Sequence, residues 1–278
     1  MAIVINPISP VAFSVFGIPV RWYALAYIAG FVIGFYLFKY LINKKDSQIK
    51  LDKKQMDDFL TAIVLGVIIG GRIGYVLFYN FSYFIGHPLE IFALWHGGMS
   101  FHGGLLGVIV ATVLFVYMQK LKPVIRESLK LLDVMTVVVP IGLGLGRIAN
   151  FINMEVMGRP TNSPLGIIFA GGPNYPRHPS PLYEAALEGG ALFIIMWLLY
   201  NKTKLKEHPG ALGGILCMIY AVFRVFCEQF RQPDMQIGFL TSWGLTMGQL
   251  LSGVMFVIGF ALLCITLKNT KQNVNKKV

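Results

Sequence analysis

The sequence predicts an all-α, polytopic membrane helical bundle of about seven transmembrane helices, and three observations carry that prediction. Hydrophobic residues make up 55% of the 278 and charged residues only 13%, whereas soluble domains carry about 25% charged residues. Apolar windows of helix-spanning length recur along the chain. The lysines, which orient a membrane chain, fall in every second connector between those windows.

The windows lie near 20–41, 59–80, 101–117, 131–153, 182–200, 212–227 and 245–267. Each is about the 20 residues that a helix needs to cross the hydrocarbon core. Connectors are short except 154–181, which is rich in Gly and Pro. That segment is too polar and broken to span, so it is expected to form an outer-face (periplasmic) loop or small head on a single integral-membrane domain, 1–278. The N-terminus lacks a basic n-region and a small-residue cleavage site, so the first apolar run is expected to be a retained helix. Cys217, Cys227 and Cys264 sit inside apolar runs without CxxC or Cys/His spacing; neither a disulfide framework nor a metal site follows. The net charge of +11 resides in short loops between spans, so it points to membrane topology and not to nucleic acid.

Orientation follows from the lysines. Lys39, Lys44, Lys45, Lys50, Lys53 and Lys54 cluster around the first connector, Lys120, Lys122 and Lys130 around the third, Lys202, Lys204 and Lys206 around the fifth. Lys268, Lys271, Lys276 and Lys277 follow the last span. These connectors are expected to be cytoplasmic, which puts the N-terminus outside and the C-terminus inside. The arginines behave differently. Apart from Arg126, they avoid those connectors: Arg21, Arg159, Arg177 and Arg231 fall on the outer side, and Arg72, Arg147 and Arg224 within spans. A planar, permanently charged guanidinium suits phosphate or carboxylate, so outer arginines suggest an anion.

With that orientation, polar groups from five spans converge at one depth. Tyr23 opens span one and His102 opens span three; Arg147, Asn150 and Glu155 close span four; Glu184 and Glu188 open span five; Arg224 and Glu228 close span six. Tyr220, Arg224, Glu228 and Arg231 are spaced by 4, 4 and 3, one helix face, and Arg147 and Asn150 share another. An Arg at mid-span costs roughly 2.5–3.5 kcal/mol on insertion scales, so it should face protein or water. The structural alternative is that Arg224 and Glu228 form only a packing pair. His102 is followed by Gly103 and Gly104, which would let a backbone or a ligand approach, and imidazole suits proton transfer near neutrality. His87, His96 and His178 read as loop residues. Gly66, Gly70 and Gly74 mark a helix-packing face, and Gly142, Gly144 and Gly146 the same, since a dinucleotide loop would need a βαβ unit. Asp133 reads as an interfacial carboxylate, and the cysteines as packing residues.

Taken together, the segments resemble the bacterial phosphatidylglycerol–prolipoprotein diacylglyceryl transferase family over nearly the whole chain. The most specific stretch is Gly146-Arg147-Ile148-Ala149-Asn150-Phe151-Ile152-Asn153-Met154-Glu155, followed by Gly158-Arg159. Ser100–Leu105, Arg21-Trp22-Tyr23, Tyr220 to Arg224 with Glu228, and Phe230-Arg231-Gln232-Pro233-Asp234 reinforce it. Ala149 stands where the family generally has Gly, and Met154 where Gly is common. The resemblance implies functional positions at Tyr23, His102, Arg147, Asn150, Glu155, Gly158, Tyr220, Arg224, Glu228 and Arg231. It implies an enzyme of the bacterial cytoplasmic (inner) membrane with its active site toward the outer face. That enzyme moves a diacylglyceryl group from phosphatidylglycerol to the lipobox cysteine thiol of a preprolipoprotein, forming a thioether and releasing glycerol 1-phosphate. In this reading Arg147 and Arg224 clamp the phosphate, His102 accepts the thiol proton, and Glu155 or Tyr220 orients; no cofactor or metal is implied.

The rival from another class is an anion or anionic-lipid transporter or binding protein. It would call for an internal repeat and paired broken helices near mid-membrane, and neither is visible. An intramembrane protease would call for a nucleophilic Ser or paired membrane aspartates, again without a candidate.

Overall fold

A computed structural model of the chain describes residues 3–170, 172–233, 238–242 and 244–275. Asp234, Lys276 and Lys277, named above, lie outside them. The helices are α1 (Trp22–Asn43), α2 (Lys53–Phe78), α3 (Phe81–Gly86), α4 (Phe101–Met118), α5 (Val124–Ile152), α6 (Ser180–Glu184), α7 (Leu192–Lys202), α8 (Ala211–Glu228) and α9 (Met247–Asn275). A π-helical stretch, Ala185–Ala191, joins α6 to α7, so Ser180–Lys202 runs as one span. Among the described residues seven helical stretches are long and apolar enough to cross a membrane. The seven predicted spans are therefore all present, and the protein is a multi-pass membrane protein. Ile28, Ile69, Leu114, Leu198 and Val257 are exposed along these helices, as expected of side chains whose solvent is lipid.

Two helices start well before the sequence expectation, each for a local reason. The second helix starts at Lys53 instead of 59 because Asp52 accepts from the Gln55 N–H at 2.8 Å while the Gln55 side chain accepts from the Asp52 N–H at 3.0 Å. This capping box nucleates a polar first turn that an apolar window cannot register. The fourth starts at Val124, one polar turn and more before its apolar stretch.

The chain forms two compact units, one holding Lys39–Leu132 and the other the segments before and after it. In the former, α2 packs on α4 through glycines. A Cβ on Gly74 would lie 2.6 Å from the Gly103 Cα, and one on Gly66 would lie 2.7 Å from the Gly107 carbonyl oxygen. The spacing-of-four pattern is thus a backbone-on-backbone seam, and Gly103 serves this seam. Phe59 and Phe115 close it, rings 5.1 Å apart. Arg72, 5% exposed, is the other organiser of this unit. Its guanidinium donates to the carbonyls of Glu90 (2.6 Å), Ile91 (2.8 Å), Ala93 (3.1 Å), Gly98 (3.1 Å) and Gly97, and so fastens the 3₁₀ turns Pro88–Phe92 and Leu94–His96 that precede α4.

In the other unit, glycines again set the packing. Gly34 of α1 faces Val138 of α5, Gly189 faces Gly144 at a virtual Cβ distance of 2.6 Å, and Gly214 of α8 faces Gly259 of α9. Asp133, read from the sequence as an interfacial carboxylate, is 2% exposed. It accepts the N–H groups of Gly210 (2.7 Å) and Gly213 (2.8 Å), and thereby caps α8 from 77 residues away. Small β elements complete the unit. β1 (Ile3–Ile5) pairs in parallel with β4 (Ile167–Phe169), Ile3 opposite Ile167. β2 (Val11–Val15) and β3 (Ile18–Arg21) form an antiparallel hairpin turning at Phe16 and Gly17, both at positive φ.

Candidate active site

The polar residues at the C-terminal ends of α5 and α8 and at the start of the span Ser180–Lys202 meet in one buried ion-pair network. Arg147 Nε lies 2.7 Å from Glu184 Oε2, and its Nη2 lies 3.5 Å from Glu188 Oε2. Arg224 places Nη1 3.3 Å from Glu184 Oε2 and 3.5 Å from Glu188 Oε1, while its Nη2 bonds Glu228 one turn along α8. Arg231, three residues beyond the helix, brings Nη1 to 3.5 Å from Glu184 Oε1 and Nε to 4.0 Å from Glu228. Arg224 and Glu228 share a face of α8, whereas Arg231 reaches them from beyond the helix end and not along the predicted helix face; three guanidiniums balance three carboxylates. Glu184 and Glu188 have no exposed side-chain surface and Arg224 keeps 12%. Charges this deep are tolerable because each has opposite charge beside it; removing one partner strands the other in low dielectric.

Glu228 is held from a second side. Its Oε2 accepts from Thr246 Oγ1 at 3.0 Å, and Thr246 with Gln249 forms the cap that starts α9. Any Cβ on Gly248 would collide with the Glu228 carboxyl. Tyr220, one turn before Arg224, is within electrostatic reach of Arg147, Arg224, Glu184 and Glu188. Tyr23 stacks edge-on against Tyr27, centroids 5.1 Å apart, and Tyr27 is within reach of Arg147.

The segment after α5 ties this network to a small head. Asn150 Nδ2 donates to Glu155 Oε2 at 3.0 Å and the Glu155 N–H returns to the Asn150 carbonyl, closing a tight loop. Met154 adopts φ +56° inside it, a left-handed conformation that glycine takes without strain. Gly158 donates to the His178 carbonyl and accepts from Arg177 Nε at 2.7 Å. A Cβ there would lie 2.6 Å from the Phe230 carbonyl oxygen, so only glycine fits. Arg159 reaches the Arg231 carbonyl at 2.9 Å and that of Glu228 at 3.3 Å. His178 sits against Tyr183 and Phe230, and burial there lowers its pKa below the usual imidazole value.

Comparison with known proteins identifies the family. A family model described as prolipoprotein diacylglyceryl transferase matches residues 10–265. Relatives named phosphatidylglycerol–prolipoprotein diacylglyceryl transferase match over most of both chains. One from Nitrobacter hamburgensis is 48% identical over 262 residues, 92% of this chain and 87% of its own. One from Rickettsia felis is 47% identical over 257 residues, 92% and 96%, and one from Methylocella silvestris 46% over 258 residues, 92% of each. The chain belongs to the prolipoprotein diacylglyceryl transferase family.

Of the residues that the family signature singles out, Arg147, Arg224, Glu228 and Arg231 share the ion-pair network, with Tyr220 beside it. Asn150, Glu155 and Gly158 shape the segment after α5. His102 belongs to the Lys39–Leu132 unit, exposed in the first turn of α4, which Ser100 caps by accepting from the Gly103 N–H at 3.2 Å. Its ring lies edge-on to Phe101. In the sequence Glu184 and Glu188 appear only as polar residues opening the fifth span, with no pattern that names their partners. Thr246 went unseen, since a lone Thr before an apolar run differs from any other cap only once its partner is known.

Proposed function

We propose that this member of the family is a transferase that moves a diacylglyceryl group from phosphatidylglycerol to the lipobox cysteine thiol of a preprolipoprotein. The thiol sulfur attacks the glyceryl carbon, a C–S bond forms, the C–O bond to phosphate breaks, and glycerol 1-phosphate leaves. The observation that carries the reading is the partly buried triad of guanidiniums from α5, α8 and the residues after it, in a chain that matches this family over residues 10–265. Arg147 and Arg224 act as the phosphate clamp, because fixed guanidiniums stabilise the charge that grows on the leaving phosphate. Arg231, Glu228, Asn150, Glu155 and Gly158 shape the binding site. A free thiol ionises near 8.5, so attack at neutral pH requires a proton acceptor. His102 takes that role by its chemistry, with Tyr23 and Tyr220 assisting.

The lysine distribution supports an inner-membrane orientation with the connector after α1 and the C-terminus in the cytoplasm, and the segment between α5 and α6 outside. A cysteine placed at the exposed Asn174 is expected to react with an impermeant reagent in intact cells. Labelling only after permeabilisation would reverse the orientation. The reaction itself is tested by incubating purified protein with phosphatidylglycerol and a lipobox peptide. Mass spectrometry is expected to find a diacylglyceryl thioether and free glycerol phosphate; their absence in folded protein would overturn the assignment.

A further inference from the structure

Glu184 and Glu188 stand apart from the other carboxylate in the network. Glu184 meets all three arginines: Oε2 faces Arg147 and Arg224, and Oε1 faces Arg231. Glu188 lies between Arg147 and Arg224 at 3.5 Å from each. Both are fully buried, and among the described residues none of their four carboxylate oxygens makes an aligned hydrogen bond. Glu228, by contrast, is anchored by the hydroxyl of Thr246 and by Arg224. Arg147 Nε holds Glu184 at 2.7 Å, whereas the contacts of Glu188, at 3.5 Å and without alignment, make few geometric demands. Another anion can replace them.

We infer that Glu184 and Glu188 are positioning residues that act as internal counter-anions: they hold the guanidinium forks of Arg147, Arg224 and Arg231 in place, and they compete with the phosphate of an anionic lipid headgroup for them. The inference rests on the reading of Arg147 and Arg224 as the phosphate clamp. Three carboxylates cancel three guanidiniums, so the site attracts a singly charged phosphodiester through arrangement instead of net charge. The same balance weakens retention of the phosphomonoester product, which carries up to two charges. Neutralising one carboxylate leaves an excess positive charge beside the phosphate, in surroundings that screen it poorly.

The test uses full-length protein in detergent, Glu188→Gln, and two probes: inhibition by glycerol 1-phosphate and direct binding of phosphatidylglycerol. Both are expected to tighten by roughly tenfold or more, with KM falling and kcat falling because product leaves slowly. A side chain with only a packing role would give weaker binding and no gain in product inhibition. That outcome, or unchanged binding in folded Glu188→Gln, would overturn the inference. Should Glu188→Gln fail to fold, Glu188→Asp keeps the charge but withdraws it by one methylene, and the same shift is expected in smaller degree; its absence is equally decisive. If wild-type protein forms no thioether, the transfer reading fails, while the response of phosphatidylglycerol binding to Glu188→Gln still decides the counter-anion question.

Discussion

Replacing Arg224 by Lys keeps the positive charge and removes the fork. Arg224 divides its work between two nitrogens, Nη1 facing Glu184 and Glu188 and Nη2 facing Glu228. A single ammonium reaches one side of that arrangement, so at least one charge-assisted contact is lost, worth about 1.5–3 kcal/mol. At 1.4 kcal/mol per decade, turnover in Arg224→Lys is expected to fall roughly ten- to 150-fold. Arg147→Lys should fall by a similar factor, because Nε and Nη2 likewise serve different carboxylates. The assay is thioether formation on a lipobox peptide at saturating phosphatidylglycerol, with thermal unfolding measured in parallel. Lys53→Gln, in the exposed first turn of α2, is the control and should leave turnover unchanged. Near-normal turnover in both lysine variants, with folding intact, would refute the argument from bidentate geometry.

His102→Gln should lower turnover by roughly 10²–10⁴-fold while phosphatidylglycerol binding survives; wild-type turnover would remove His102 from catalysis. Arg72→Leu leaves the carbonyls of residues 90, 91, 93, 97 and 98 without their donor, so amide exchange across 88–98 should rise sharply, and unchanged protection would show that the guanidinium is dispensable. Met154→Gly removes a left-handed penalty of about 1–2 kcal/mol against a glycine entropy cost of about 0.5–1 kcal/mol, so thermal stability should hold or improve; a clear loss would mean that the Met side chain is needed. His178, whose folded-state pKa lies below 6.5, binds fewer protons folded than unfolded. Its contribution is therefore full above pH 6.5 and declines as pH falls below that value, and a His178→Phe variant should show a flatter stability profile over that range.

Much of this was legible in the chain itself. Twenty-residue apolar windows and the 4-4-3 spacing of Tyr220, Arg224, Glu228 and Arg231 are local patterns, and local patterns survive reading without coordinates. The N-terminal hairpin escaped because its strands are short and its turn, Phe16-Gly17, carries only one of the residues that announce a primed turn. The partners escaped for a deeper reason. Asp133 finds its donors at Gly210 and Gly213, and Arg147 finds Glu184. Nothing near either residue in sequence names the other. A buried charge in a membrane span says that a partner exists, not which one.

The π-helical stretch Ala185–Ala191 bears on how the fifth span evolves. Bonds there close over five residues instead of four, so the span carries one register up to Glu184 and another from Leu192 onward. The face that offers Glu184 to the arginines and the face that offers Ile194 and Leu198 to lipid answer to different phases of the same helix. The loss of a single residue between them would rewind the segment and turn the carboxylates away from their arginines. Length, in those seven positions, matters alongside the identities of Glu188 and Gly189.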